Sequence, residues 1–225
     1  IVILIMRKNY WNKFYKKKKL IKKLNYPSQF AVFVLGEKEN ENSLIEFGCG
    51  NGRDSIFFSN YFKKVYALDK SFVINKYNFN KYKKIKNLTF YQYDINNSLP
   101  NYNFIKDKKM IYARFFLHTL TNKEILKFCN LVSCILNKKE RLFVEYRSNR
   151  DKLIKKTYNN HYRNFLIPSK VAKFFETYSL KLIYGINGKG LAKYKAEDAI
   201  VTRQIYIKIW FLKKKKLKHI KILNF

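Results

Sequence analysis

The run Leu44-Ile45-Glu46-Phe47-Gly48-Cys49-Gly50-Asn51-Gly52-Arg53-Asp54 decides how the rest of the chain is read. Leu44, Ile45 and Phe47 make a short apolar run of the kind that forms a buried strand, and glycines at alternate positions, Gly48, Gly50 and Gly52, follow at once. A strand therefore runs into a tight turn. Ser55 to Tyr61 is apolar-periodic, so the turn also opens a helix, whose free N–H groups and positive dipole end suit an anionic or polar ligand. Glycines leave side chains out where a ligand must touch backbone.

Spacing separates this loop from two other nucleotide loops. The dinucleotide fingerprint sets its third glycine where this chain has Arg53, and the Gly-Lys-Ser/Thr ending of the Walker loop is absent from this run. Instead, Glu46-Phe47-Gly48-Cys49-Gly50-Asn51-Gly52 resembles motif I of the class I S-adenosylmethionine (SAM) dependent methyltransferases. The continuation Arg53-Asp54-Ser55 is similar to their tellurite-resistance and thiopurine-type small-molecule branches. Some polysaccharide-cluster methyltransferases also look similar around Tyr10-Trp11 and Pro27-Ser28-Gln29-Phe30-Ala31. The resemblance implies a SAM site formed by Glu46, Gly48, Cys49, Gly50, Gly52 and Arg53.

Val65 to Asp69 reads as a second strand ending in an acid. A carboxylate there in a strand–helix–strand unit can accept both ribose hydroxyls of a nucleoside, while an Asp at a strand end beside Ser71 can also cap a helix. Its spacing from Gly48 favours the ribose role, with Lys70 and Ser71 adjoining the cofactor. A Lys/Asn-rich helix, about 72 to 84, leads to a third strand, Leu88 to Tyr93, and then to Asp94-Ile95. By resemblance, Asp94 accepts from the adenine amino group and the Ile95 N–H meets the ring. Asn96, Asn97, Ser98 and Pro100 make the next stretch a loop.

Met110 to Ala113 is a fourth strand, and Arg114-Phe115-Phe116-Leu117-His118-Thr119 follows where the resemblance implies that the transferred methyl emerges. Arg114 and His118 are the catalytic candidates, and Arg114 also adjoins the cofactor. The Asn/Asp-Pro-Pro-aromatic motif of amino-methylating nucleic-acid enzymes, the Pro-Cys nucleophile of cytosine-C5 enzymes and the acid that a ribose 2′-O enzyme needs near Arg114 are all missing. Thr121 with Glu124 makes a capping box for a helix through Ile135, and Arg141 to Arg147 is a fifth strand. Residues 148 to 167 form an insertion whose His161, Tyr162 and Arg163, with Arg147, are the candidate acceptor-binding residues. Ser169 to Tyr178 is a helix following Pro168, and Leu180 to Ile186 with Ile200 to Leu212 is the closing antiparallel pair.

Upstream, residues 9 to 24 space aromatic and aliphatic side chains helically among lysines. Tyr26 to Ala31 starts a second helix, with Pro27 in its first turn and Phe30, Val34 and Leu35 facing inward. By resemblance these helices, residues 1–42, cap the cofactor pocket of a SAM-binding domain spanning 43–212, and 213–225 is a basic tail. The fold expected is α/β: a doubly wound, Rossmann-like class I methyltransferase sheet, mostly parallel with an antiparallel C-terminal strand.

A length of 225 residues suits one such domain. The apolar opening, Ile1 to Ile5, is far short of the about 18 residues of a membrane span, and its basic residues follow rather than precede it, unlike a signal peptide. A cytoplasmic protein without a membrane span is expected. Cys49, Cys129 and Cys134 show no metal spacing and fit a reducing compartment.

The net charge of +33 invites a nucleic-acid partner. All but eight of the 48 basic residues are lysines, however, in a chain rich in Asn, Ile, Tyr and Phe, the mixture that an AT-rich genome supplies without selection for binding. The arginines are the more informative cations, because their rigid fork pairs with phosphate or carboxylate. The main expectation is O-methylation of a small anionic metabolite or of a phosphorylated or sugar-type building block. An RNA methyltransferase using the basic surface, and an inactive SAM-binding partner subunit, are the alternatives. Nothing in the sequence sets an oligomeric state.

Overall fold

The computed structural model describes residues 10–16, 26–97, 105–154, 162–194 and 196–210. Residues 10–16 are helical (α1). Then follow α2 (Gln29–Gly36), β1 (Ser43–Phe47), α3 (Arg53–Ser59), β2 (Lys64–Asp69), α4 (Phe72–Tyr82), β3 (Leu88–Gln92) and β4 (Lys109–Arg114). The chain continues through α5 (Asn122–Ile135), β5 (Arg141–Arg147), α6 (Pro168–Glu176), β6 (Leu180–Gly188) and β7 (Val201–Lys208).

The strands form one seven-stranded sheet in the order β3-β2-β1-β4-β5-β7-β6. Every pairing from β3 to β5 is parallel, and β7 runs antiparallel to both β5 and β6. Strand order reverses between β1 and β4, and the carboxyl ends of strands at such a switch are where an open α/β sheet forms its ligand crevice. All five residues of β1 are buried, as a parallel strand covered on both faces requires. On one face Ile45, Phe47, Ile111 and Val144 pack with Phe128 and Val132 of α5 and Phe175 of α6. On the other, Leu44, Val65, Met110 and Phe143 pack with Phe30 and Val34 of α2 and Phe58 of α3.

Most sequence-expected elements form, with local corrections. Pro27 lies outside the first turn of α2, because Ser28 is the N-cap and its hydroxyl accepts the Ala31 N–H at 3.1 Å. Leu35 is half-buried rather than a core residue. α3 begins at Arg53, so Gly52 at φ 75° is its N-cap and the third glycine belongs to the helix start. The closing strand β7 ends at Lys208. The capping box on α5 is present in both halves, Thr121 Oγ1 accepting from Glu124 N and Glu124 Oε2 from Thr121 N. The basic tail and residues 17–24 of the N-terminal helix lie outside the described residues.

Candidate active site

The glycine loop leaves β1 in three left-handed steps, Gly48 at φ 76°, Gly50 at φ 53° and Gly52 at φ 75°. Only glycine takes these values without strain. The loop is held to β2, where Leu68 O accepts the N–H groups of both Gly48 and Cys49. A Cβ on Gly50 would lie 3.1 Å from the hydroxyl of Tyr15, and one on Gly48 would lie 3.0 Å from the ring of Phe116. Helix α1 therefore closes over the loop, and Ser71 Oγ donates to Asn12 Oδ1 at 2.7 Å.

Asp69, at the end of β2, ties this loop to α4. Its Oδ2 accepts the Gly50 N–H at 3.0 Å and its Oδ1 accepts the Ser71 N–H at 2.8 Å. Burial raises its pKa and these two N–H groups work against the rise. Each carboxylate oxygen has a second lone pair, so Asp69 retains acceptor capacity for a diol. The capping role belongs to Ser71, whose hydroxyl accepts from Ile74 N. One strand further out, Asp94 Oδ2 pairs with Lys70 Nζ at 2.7 Å and Oδ1 accepts the Asn96 N–H at 3.0 Å. Although burial opposes it, the Lys70 ammonium and Asn96 hold the Asp94 pKa below the usual value, so an ionised acceptor stands beside buried Ile95.

A charged network underlies the loop. Asp54 Oδ1 accepts the Ser28 N–H at 2.7 Å, and its Oδ2 accepts from the Ser28 hydroxyl at 2.8 Å and the Tyr112 hydroxyl at 2.7 Å. This latches the start of α2 onto the first turn of α3, where a carboxylate also suits the helix dipole. Burial and the neighbouring Asp54 push the Glu46 pKa up to about 8, although the Ser55 hydroxyl hydrogen-bonds to it. Arg53, with only 13% of its side chain exposed, has one ion pair among the described residues, a long 3.8 Å contact to Asp54.

At the carboxyl ends of β4 and β5 and across to β7 the cations are paired with acids. Sheet register sets Arg114 opposite Glu145 and Glu145 opposite Arg203. Accordingly Arg114 Nε lies 2.9 Å from Glu145 Oε1 and Arg203 Nε 2.8 Å from Oε2. Arg147 forks between Asp151, at 2.7 Å, and Glu197. Arg163 is half-buried; burial and Arg147 lower its pKa, while Glu197, Tyr10 and Asp151 oppose. His118 is buried, its Nδ1 accepting the Arg147 N–H at 3.3 Å and its carbonyl accepting the Asn164 N–H. Phe115, in a left-handed conformation at φ 53°, packs under the Arg114 guanidinium at 4.2 Å and edge-on to His118 at 5.4 Å. A left-handed non-glycine residue at the end of a strand costs conformational energy that the contacts around it must offset.

The family model described as tellurite resistance protein TehB matches residues 4–145, a span that holds the glycine loop, Asp69, Asp94 and Arg114. The chain belongs to the TehB methyltransferase family. No curated protein matches it. Among solved structures, magnesium protoporphyrin IX methyltransferase (ChlM) from Synechocystis PCC 6803 with bound SAH superposes with a TM-score of 0.67 at 11% identity, over 92% of this chain and 99% of that one. A SAM-dependent methyltransferase from Anabaena variabilis gives 0.67 at 17% identity, over 90% and 95%. One from Aquifex aeolicus gives 0.61 at 18%, over 85% and 98%. These likenesses establish the class I methyltransferase fold.

Set in this TehB-family fold, the sequence-expected residues fall into three groups. Glu46, Gly48, Cys49, Gly50, Gly52, Arg53, Asp69, Lys70, Ser71, Asp94 and Ile95 line or support the ends of β1, β2 and β3. Arg114, His118 and Arg147 gather at the carboxyl ends of β4 and β5, engaged with Glu145, Asp151 and Glu197 or with backbone. Half-buried Tyr162 and Arg163 follow in the insertion, while His161 lies outside the described residues. Asn12, Tyr15, Ser28, Tyr112, Asn75 and Asn78 touch the loop network and were not marked by the sequence pattern. Of these only Ser28 carried a signal, as a cap residue three places before Ala31. Among the described residues no His/Cys/Asp/Glu group suits a metal, and no helix is long and apolar enough to cross a membrane.

Proposed function

We propose that the chain binds SAM along the glycine loop and transfers its methyl group to a small acceptor beyond the ends of β4 and β5. The carrying observation is the joint hold on Asp69, which accepts from Gly50 and Ser71 while keeping lone pairs for the ribose hydroxyls. The left-handed glycines supply the side-chain-free approach, Asp94 accepts from the adenine amino group and the Ile95 N–H meets its ring. Arg53, buried with a single long ion pair among the described residues, is the partner for the methionyl carboxylate. Tyr15 of α1 excludes water above the loop.

Bound SAM supplies a methyl group already activated by its sulfonium, so alignment and dryness provide most of the catalysis. Arg114 and Arg147 serve as scaffold beneath the acceptor, since Asp151 and Glu197 take both terminal nitrogens of Arg147 and the buried Glu145 already offsets the charge of Arg114. A hydroxyl of a small, sugar-type acceptor therefore fits better than a phosphorylated one. With Nδ1 accepting from the Arg147 N–H, the ring proton of His118 lies on Nε2, so the imidazole serves the acceptor as an orienting donor rather than as a base. The experiment is incubation with isotopically labelled SAM and a cell metabolite extract. Label in an uncharged small molecule supports the proposal, and label confined to RNA, or none transferred, contradicts it.

A further inference from the structure

The buried face of α4 carries two asparagines one turn apart, and both aim their amide nitrogens at the backbone of the cofactor site. Asn78 is fully buried, and its Nδ2 donates to Gly50 O at 2.7 Å. Asn75 Nδ2 donates to Asp69 O and to Ser71 O, both at 2.8 Å. Only an amide nitrogen can face these carbonyl oxygens, which fixes the orientation of each side chain. The other half of each amide is then stranded: Asn75 Oδ1 and Asn78 Oδ1 are buried without a hydrogen-bond partner. A buried acceptor left unmade opposes folding, so each asparagine is kept at a cost that its amide N–H bonds to the loop must offset.

We propose that Asn78, supported by Asn75, is a positioning residue that sets the Gly50 peptide for SAM; the inference rests on the SAM site proposed above. Gly50 is left-handed and has no side chain to restrain it, so its peptide rotates readily unless it is held. Its N–H is held by Asp69 and its C=O by Asn78, which clamps the residue from both sides. The peptide is planar and trans, so a carbonyl drawn toward α4 directs the following N–H to the opposite side. Without the Asn78 donor the Gly50 carbonyl is free to turn, while the Gly50 N–H, in the preceding peptide, stays held by Asp69. Asn75 applies the same control to the Asp69–Ser71 segment. The two amides thereby couple the glycine loop to the carboxylate that faces it.

The test measures SAM affinity by calorimetry and apo melting temperature for the wild type, Asn78→Asp and Asn80→Asp. Asn78→Asp keeps the shape and, once ionised at the alkaline pH of the titration, removes the donor, and Asn80, exposed on the same helix, controls for added charge. The expected result is at least a tenfold loss of SAM affinity in folded Asn78→Asp and less than twofold in Asn80→Asp. Folded Asn78→Asp within tenfold of the wild type overturns the positioning role, whatever its melting temperature, since an amide that serves only stability moves the melt and leaves the affinity of folded protein unchanged. If Asn78→Asp does not fold, Asn78→Ser is held to the same tenfold criterion. A wild type that binds no SAM refutes the SAM site itself, which separates that failure from failure of the Asn78 role.

Discussion

Arg114 Nε lies 2.9 Å from Glu145 Oε1, and that carboxylate is completely buried. Its other oxygen is held by Arg203, so a single acid bridges two guanidiniums across three adjacent strands. Although burial opposes it, Glu145 and then Asp54 hold the Arg114 pKa above its ordinary value. Glu145→Gln leaves two buried cations facing a neutral amide, and removing one partner of a buried pair costs about 3–5 kcal/mol. Urea unfolding should register a loss of that size. A loss below about 1 kcal/mol, the size of an exposed pair, would contradict the scaffold role.

Glu46 gives the fold a pH dependence whose sign can be worked out. Its pKa is raised from 4.5 to about 8, so the folded state holds a proton that the unfolded chain releases. Stability from this group is therefore complete below about pH 4.5 and declines as pH rises toward 8. Glu46→Gln, which cannot ionise, should remove that falling limb. Melting temperatures from pH 5 to pH 9 check it: the variant should gain on the wild type as pH rises, and parallel curves would count against a protonated Glu46.

His118 separates orientation from proton abstraction. As a general base, its loss would lower kcat by about 10²–10⁴-fold in any variant lacking imidazole. As an orienting donor, His118→Asn, whose amide can still donate and accept, should retain kcat within about tenfold, while His118→Ala loses more. Single-turnover methyl transfer with the identified acceptor distinguishes the two, and equal collapse in both variants would restore the base.

Gly50 tests the closeness of α1 to the loop. Gly50→Val sets a branched side chain at φ 53° and against the Tyr15 hydroxyl, 3.1 Å from the Cβ position. SAM binding should be lost below detection by calorimetry, and binding at wild-type affinity would mean that the ligand does not approach this backbone.

The parts of the site that were legible are those whose signal is local. The glycine spacing, the acids closing β2 and β3 and the Thr121–Glu124 box each occupy one short stretch, and backbone chemistry alone interprets them. The pairing of Ser28 with Asp54 spans 26 residues and that of Tyr112 with Asp54 spans 58, so neither side chain announces its partner. The arginines read as anion hooks because sequence gives a guanidinium no address; sheet register supplied Arg114 with Glu145. Asn75 and Asn78 were hidden in a Lys/Asn-rich helix, where a polar residue at an inward position reads as a solvated one. The placing of Pro27 in the first turn of the second helix failed for a related reason, since the cap at Ser28 starts the helix after it by a hydrogen bond that periodicity does not show.

The most direct measurement is calorimetric titration of SAM into the wild type and Asp69→Ala. Asp69 joins the glycine loop, the start of α4 and the proposed ribose contact in one carboxylate. The wild type should bind, and Asp69→Ala should bind more weakly by about 1.5–3 kcal/mol, the range for hydrogen bonds to a charged group. A wild type that binds no SAM, or an Asp69→Ala variant with undiminished affinity, would contradict a cofactor site at the ends of β1 and β2.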